Sequence, residues 1–137
     1  MPTLAGPAPI DHISVATTAL TIAAISTEHI HIAARASIEG QDADPGTLPA
    51  RIAVPVSSQS PNTWYDATWE LLPDAALTFK DSAGIWHSWP GPVHAARVLL
   101  GSDGGVLALT AGAYDLWVEI DLADETVRRP AGTLEVT

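Results

Sequence analysis

The chain has no cysteine. Disulfide stapling, thiolate catalysis and cysteine-ligated zinc or iron–sulfur chemistry are therefore excluded. Basic residues are scarce as well. Six Lys+Arg face sixteen Asp+Glu, a formal net charge of −10. A field of that sign repels phosphate backbones, and the only adjacent basic pair is Arg128-Arg129, so no nucleic-acid partner is expected. The N-terminal MPTLAGPAP has no basic stretch ahead of an apolar core, which argues against a secretory signal. The longest uncharged run, from His12 to Thr27, is dotted with Ser and Thr. A spanning helix needs about twenty mostly apolar residues, so no membrane partner is expected. No window of eleven or more residues keeps a 3.6-residue apolar period, and no long helix is placed.

Hydrophobic residues make up 47% of the chain and charged residues 16%. That balance excludes a disordered chain. At 137 residues, the length suits one core, because two would leave each half near the lower limit for independent folding. The expectation is a soluble protein made in a reducing cytoplasm.

The dominant period is two. Ile30, Ile32, Ala34, Ala36 and Ile38 share one face of the run 29–38; His29, His31, Arg35 and Ser37 take the other. The same alternation marks 51–56, 64–72 and 113–121, and successive side chains of a strand point to opposite faces. Shorter candidates are 13–17, 20–26, 77–80, 85–89, 96–100, 106–110 and 132–136. Apolar parity slips between Val15 and Leu20, which predicts a bulge or turn near Thr17-Thr18. Breakers lie at 40–46, 57–62, 90–92 and 101–105. The last of these, GSDGG, is a short-loop hairpin signal between 96–100 and 106–110. Eight to ten short strands at this spacing predict an all-β, antiparallel sandwich or barrel. Residues 1–10, with Pro2, Pro7 and Pro9, read as an extended N-terminal arm, and 11–137 as a single sandwich domain.

In LTAGAYDLWVEI (109–120), a Gly-x-Tyr enters an alternating strand. It resembles the tyrosine corner of immunoglobulin-like folds, in which a Tyr hydroxyl bonds back to upstream backbone. That resemblance assigns structural roles to three residues. Tyr114 is the corner. Leu116 stands where antibody domains carry their second cysteine. Trp69 is the candidate for the buried inter-sheet tryptophan. More particularly, WYDATWE (64–70), HAARVLLGSDGGVLALTAGAYDLWVEID (94–121) and VRRPAGTLEVT (127–137) resemble small Ig-like virion structural proteins of tailed phages and prophages of actinobacteria. The likeness covers about residues 64–137. It implies a non-enzymatic protein of capsid, neck or tail, located in the virion after synthesis in the host cytoplasm, and acting as a capsid decoration or head–tail component.

His29-x-His31 puts two imidazoles on one strand face, about 7 Å apart. They are weak metal candidates, because no spacing supplies a third ligand. Asp42-x-Asp44-Pro-Gly46 lacks the further ligands of a calcium loop and reads as a turn. No Gly-x-Ser-x-Gly elbow, HExxH or phosphate loop is present, so neither enzymatic activity nor a cofactor is expected. Trp117 falls on outward parity between Asp115 and Glu119, and Trp64 on the polar parity of its strand. Outward aromatics are enriched in binding hot spots. The partner-binding set is therefore Trp117, Trp64, His29, His31, Arg35, Pro7 and Pro9, facing phage proteins or further copies of the chain in an oligomer or lattice. The alternative is a carbohydrate-binding module that stacks sugars on Trp64, Trp86 or Trp89.

Overall fold

The computed structural model describes residues 10, 12–73, 77–81, 83–101, 103–122 and 125–137. The arm carrying Pro7 and Pro9 lies outside the described residues. The described chain is all-β. Its eleven strands in chain order are β1 (His12–Val15), β2 (Thr18–Ile22), β3 (Glu28–Ile38), β4 (Gln41–Ala43), β5 (Ala50–Ala53), β6 (Tyr65–Leu72), β7 (Leu77–Lys80), β8 (Trp86–Trp89), β9 (Val93–Leu100), β10 (Gly112–Asp121) and β11 (Thr126–Val136).

Nine of these form one curled sheet in the order β1-β3-β9-β6-β5-β10-β11-β2, with β4 paired to β3. The curl turns at β6. Ala67 and its N-terminal neighbours pair with β5, while Thr68–Leu72 pair with β9. The two halves face each other as the layers of an immunoglobulin-like sandwich. Ile32 on β3, Ile52 on β5 and Leu116 on β10 each have 0% exposure within one hydrophobic core. Trp69 does not take the central inter-sheet place. It stands half-buried on the corner strand, at the margin of that core, where its Nε1 donates to the Leu48 carbonyl at 2.9 Å. The tyrosine corner is present: the Tyr114 hydroxyl donates to the Thr110 carbonyl at 2.8 Å.

The parity slip after Val15 is where the chain changes layer. β1 pairs antiparallel with β3, and three residues later β2 pairs parallel with β11. Gly132 allows that approach, since a Cβ there would lie 1.7 Å from the Thr18 carbonyl oxygen. Beside it, β11 carries an extra residue. Leu116 faces Gly132 and Trp117 faces Pro130, so Ala131 is the bulged residue, and it is fully buried.

Two loop readings need correction. Residues 106–110 form no strand, and GSDGG is not a hairpin turn. Gly101 N–H donates to Leu107 O and Val106 N–H to Leu99 O, leaving a lone parallel bridge between Leu100 and Leu107. The physical reason lies in the neighbours. β9 is already flanked by β3 and β6, so no long free edge is left for a returning strand. Conversely, the breaker at 40–46 contains β4. Glu39 and Gly40 both have positive φ, 51° and 83°, which makes the tight two-residue turn that reverses β3 into β4.

Candidate functional site

The outer face of the β3–β9–β6 layer carries a second, smaller sheet. β7 and β8 pair antiparallel and are joined by a five-residue loop. Asp81 organises that loop. Its Oδ1 accepts the amides of Ala83 and Ile85, both at 2.9 Å, and its Oδ2 lies 2.8 Å from His87 Nε2. The His87 bond, followed by the Ile85 amide, holds the Asp81 carboxyl below its ordinary pKa, against the opposing effect of burial. Phe79 stacks on His87 and meets Trp89 edge-on, with ring centroids 5.1 and 5.0 Å apart. Phe79, Trp89, Val93 and Ala16 make a satellite core, with Ala33 and Leu77 packed against it. The hairpin is therefore fastened to the sandwich by apolar contact rather than by a hydrogen-bonded ladder.

Open space remains on both sides of the hairpin. On one side a cavity of about 300 Å³ is walled by Trp89, Pro90, Pro92 and His94. Arg35 closes it, donating to both Asp42 oxygens at 2.9 and 3.1 Å and lying 5.5 Å over the Trp89 ring. On the other side runs a trough of about 550 Å³. Its lining includes Ala16, Thr18, His31, Phe79, Lys80 and Trp86. Trp86 is 66% exposed, and Lys80, the single lysine of the chain, sits 5.5 Å over its ring. Ile85, 59% exposed, stands next to it at the hairpin tip.

The structure separates the residues singled out from sequence. His29 is exposed. His31 is half-buried with Nε2 2.6 Å from Glu70 Oε2, and that bond holds the Glu70 carboxyl below its ordinary pKa. The two imidazole centroids lie 6.3 Å apart, and among the described residues no group of three potential metal ligands forms around them. Trp89, one of the three candidate sugar-stacking tryptophans, belongs to β8 as expected for 85–89 but is buried at 7% exposure. No sugar can stack on it.

Trp64 and Trp117 belong to the opposite outer face. Both are half-buried, and Arg128 lies 5.3 Å over the Trp64 ring. Beside them an ionic row crosses four strands. Asp66, Arg51, Glu119 and Arg128 stand in register on β6, β5, β10 and β11. Arg51 donates to Glu119 Oε1 at 2.6 Å and Arg128 to Oε2 at 2.7 Å.

Of the residues that shape the trough, the sequence reading named His31 and Trp86 but not Phe79, Lys80, Ala16 or Thr18. One signal was available. Phe79 is the only phenylalanine, and LTFK and WHSW flank a loop that contains Asp and Gly, a hairpin pattern across which aromatics can pair.

No protein-family model matches the chain. No curated protein matches it by sequence. Among solved structures, the chain is similar to AggA, the major subunit of aggregative adherence fimbriae type I from Escherichia coli, at 12% identity and a TM-score of 0.36, over 92% of this chain and 93% of that one.

Proposed function

We propose that this chain is a non-enzymatic structural subunit of a tailed-phage particle, carried on the capsid exterior or at the head–tail junction and held there by protein–protein contacts. The resemblance of residues 64–137 to small Ig-like virion proteins supplies the particle. The observation that carries the contact is the β7–β8 hairpin. It holds Ile85 and Trp86 in solvent beside an open trough, on a face set apart from the main core. Exposed apolar side chains grouped with an aromatic mark interaction sites. A standard stable interface buries about 1,600 Å² in total, more than the hairpin tip alone offers, so neighbouring surface must take part.

The test is the composition of purified particles produced by the phage or prophage that carries the gene. Mass spectrometry should find the chain at a fixed stoichiometry to the major capsid protein, and imaging should show its density at repeated positions on the capsid or as a ring at the neck. A chain found only in the soluble fraction of the lysate, and absent from particles, overturns the proposal. A particle-surface glycan-binding role would have to act mainly through Trp86, since Trp89 is buried and Trp64 lies beneath Arg128.

A further inference from the structure

We propose that the trough between the β7–β8 hairpin and the sandwich is a docking groove for residues 2–9 of a second copy of this chain. The inference concerns the isolated protein and does not depend on its place in a particle.

The groove fits such a segment in shape and chemistry. Ala16, Ala19, Ala33 and Ala95 leave room along one part of it, and Trp86 supplies exposed aromatic surface beside the largely buried Phe79. Thr17, Thr18, Thr78 and Thr133 also line it. Grooves of this kind, aromatic with a few hydroxyl donors, take proline-rich extended chain. Proline rings pack on aromatic faces, the segment's carbonyls accept from the donors, and little chain entropy remains to be lost. The segment PTLAGPAP offers three prolines and only one bulky apolar side chain.

Charge narrows the choice of occupant. The body carries a net −10, so an acidic segment would be repelled. Residues 2–9 contain no charged side chain. The place where the described chain begins favours a second copy over the same one. Ile10 packs against the main core ahead of β1, and Ala16, just past the far end of β1, lines the groove. Six residues of extended chain separate them, about 20 Å. An arm reaching the groove of its own molecule would have to reverse direction beside Ile10 and run back along β1.

The absence of cysteine makes a direct test simple. A nitroxide is attached to the full-length Thr3→Cys variant, and this protein is mixed with unlabelled-tag, ¹⁵N-enriched full-length protein. Intermolecular broadening should appear at the amides of residues 16–19, 77–80 and 132–133. An excess of the synthetic peptide of residues 1–9 should reverse it. Trp86→Ala alters an exposed side chain, so the fold should persist; it should weaken self-association about tenfold, as for an aromatic anchor at an interface. Three results overturn the proposal. One is no intermolecular broadening at concentrations where the protein self-associates. Another is broadening confined to another face. The third is broadening seen only when spin label and ¹⁵N share one chain, which would assign the groove to its own arm.

Discussion

Glu119 stands on the outward parity of β10, yet it is only 3% exposed. Burial raises a carboxyl pKa, and for this group burial is the largest single influence. The hydrogen bonds from Arg128 and Arg51, with their charges, outweigh it together and leave the carboxyl below its ordinary value. A carboxyl depressed in the folded state contributes stability that is complete above its unfolded pKa, about 4.3 for glutamate. That stability is lost as the pH falls through the folded value. Glu119→Gln should therefore lower the unfolding free energy by about 1.5 kcal/mol at pH 7, the scale of hydrogen bonds to a charged group. The gap to the wild type should narrow once the pH drops below about 4.3. Urea titrations at pH 7, 5, 4 and 3 measure this, and a gap that stays constant across the series would refute the ionic account. Arg51 and Arg128 keep 42% and 60% of their side-chain surface exposed. They remain hydrated when the acid is removed, which is why the loss stays modest.

At the scale of elements, the hairpin and the main sheet are separate units. β7 and β8 pair only with each other, and Phe79 on β7 and Trp89 on β8 are the buried side chains through which the satellite core holds them. Phe79→Ala should release the hairpin locally. Hydrogen exchange at 77–80 and 86–89 should speed up at least about tenfold, while global stability falls by about 1 kcal/mol, less than for a central core residue. Collapse of the whole fold would show instead that the hairpin belongs to the main cooperative unit. The sequence made β3 and β10 legible because each has one wet face and one dry face over ten or eleven residues, and alternation is the direct trace of that. β6 was legible as a strand but not as a corner. Its inward set changes layer partway along, so Leu71 ends 49% exposed despite apolar parity. The hairpin implied at 101–105 failed for a related reason. Turn chemistry reports local bending, whereas strand formation also requires a free edge, and edges are fixed by partners distant in sequence. The register that sets Asp66, Arg51, Glu119 and Arg128 in one row is equally non-local. Asp66, Arg51 and Glu119 alternate in sequence as polar-face charges of separate strands, Arg128 lies before the strand expected at 132–136, and nothing local hints that Glu119 is buried.

For the whole molecule, the excess of ten negative charges acts against any association of copies, whatever surfaces meet. Salt distinguishes the kinds of contact. At physiological ionic strength the screening length is about 8 Å, and at 0.01 M about 30 Å. An interface held by complementary charges weakens as salt is added. An uncharged proline segment in an aromatic trough has little attraction for salt to screen, while the repulsion between two acidic bodies is screened strongly. Self-association should therefore tighten as sodium chloride rises from 20 to 500 mM. Sedimentation velocity over a concentration series at each salt level gives the trend. The removal of Trp86 should abolish most of the salt-enhanced association while leaving the sedimentation of the monomer unchanged. A dissociation constant that climbs with salt would mean that the copies meet through ion pairs, and the hairpin trough would then not be the surface that joins them.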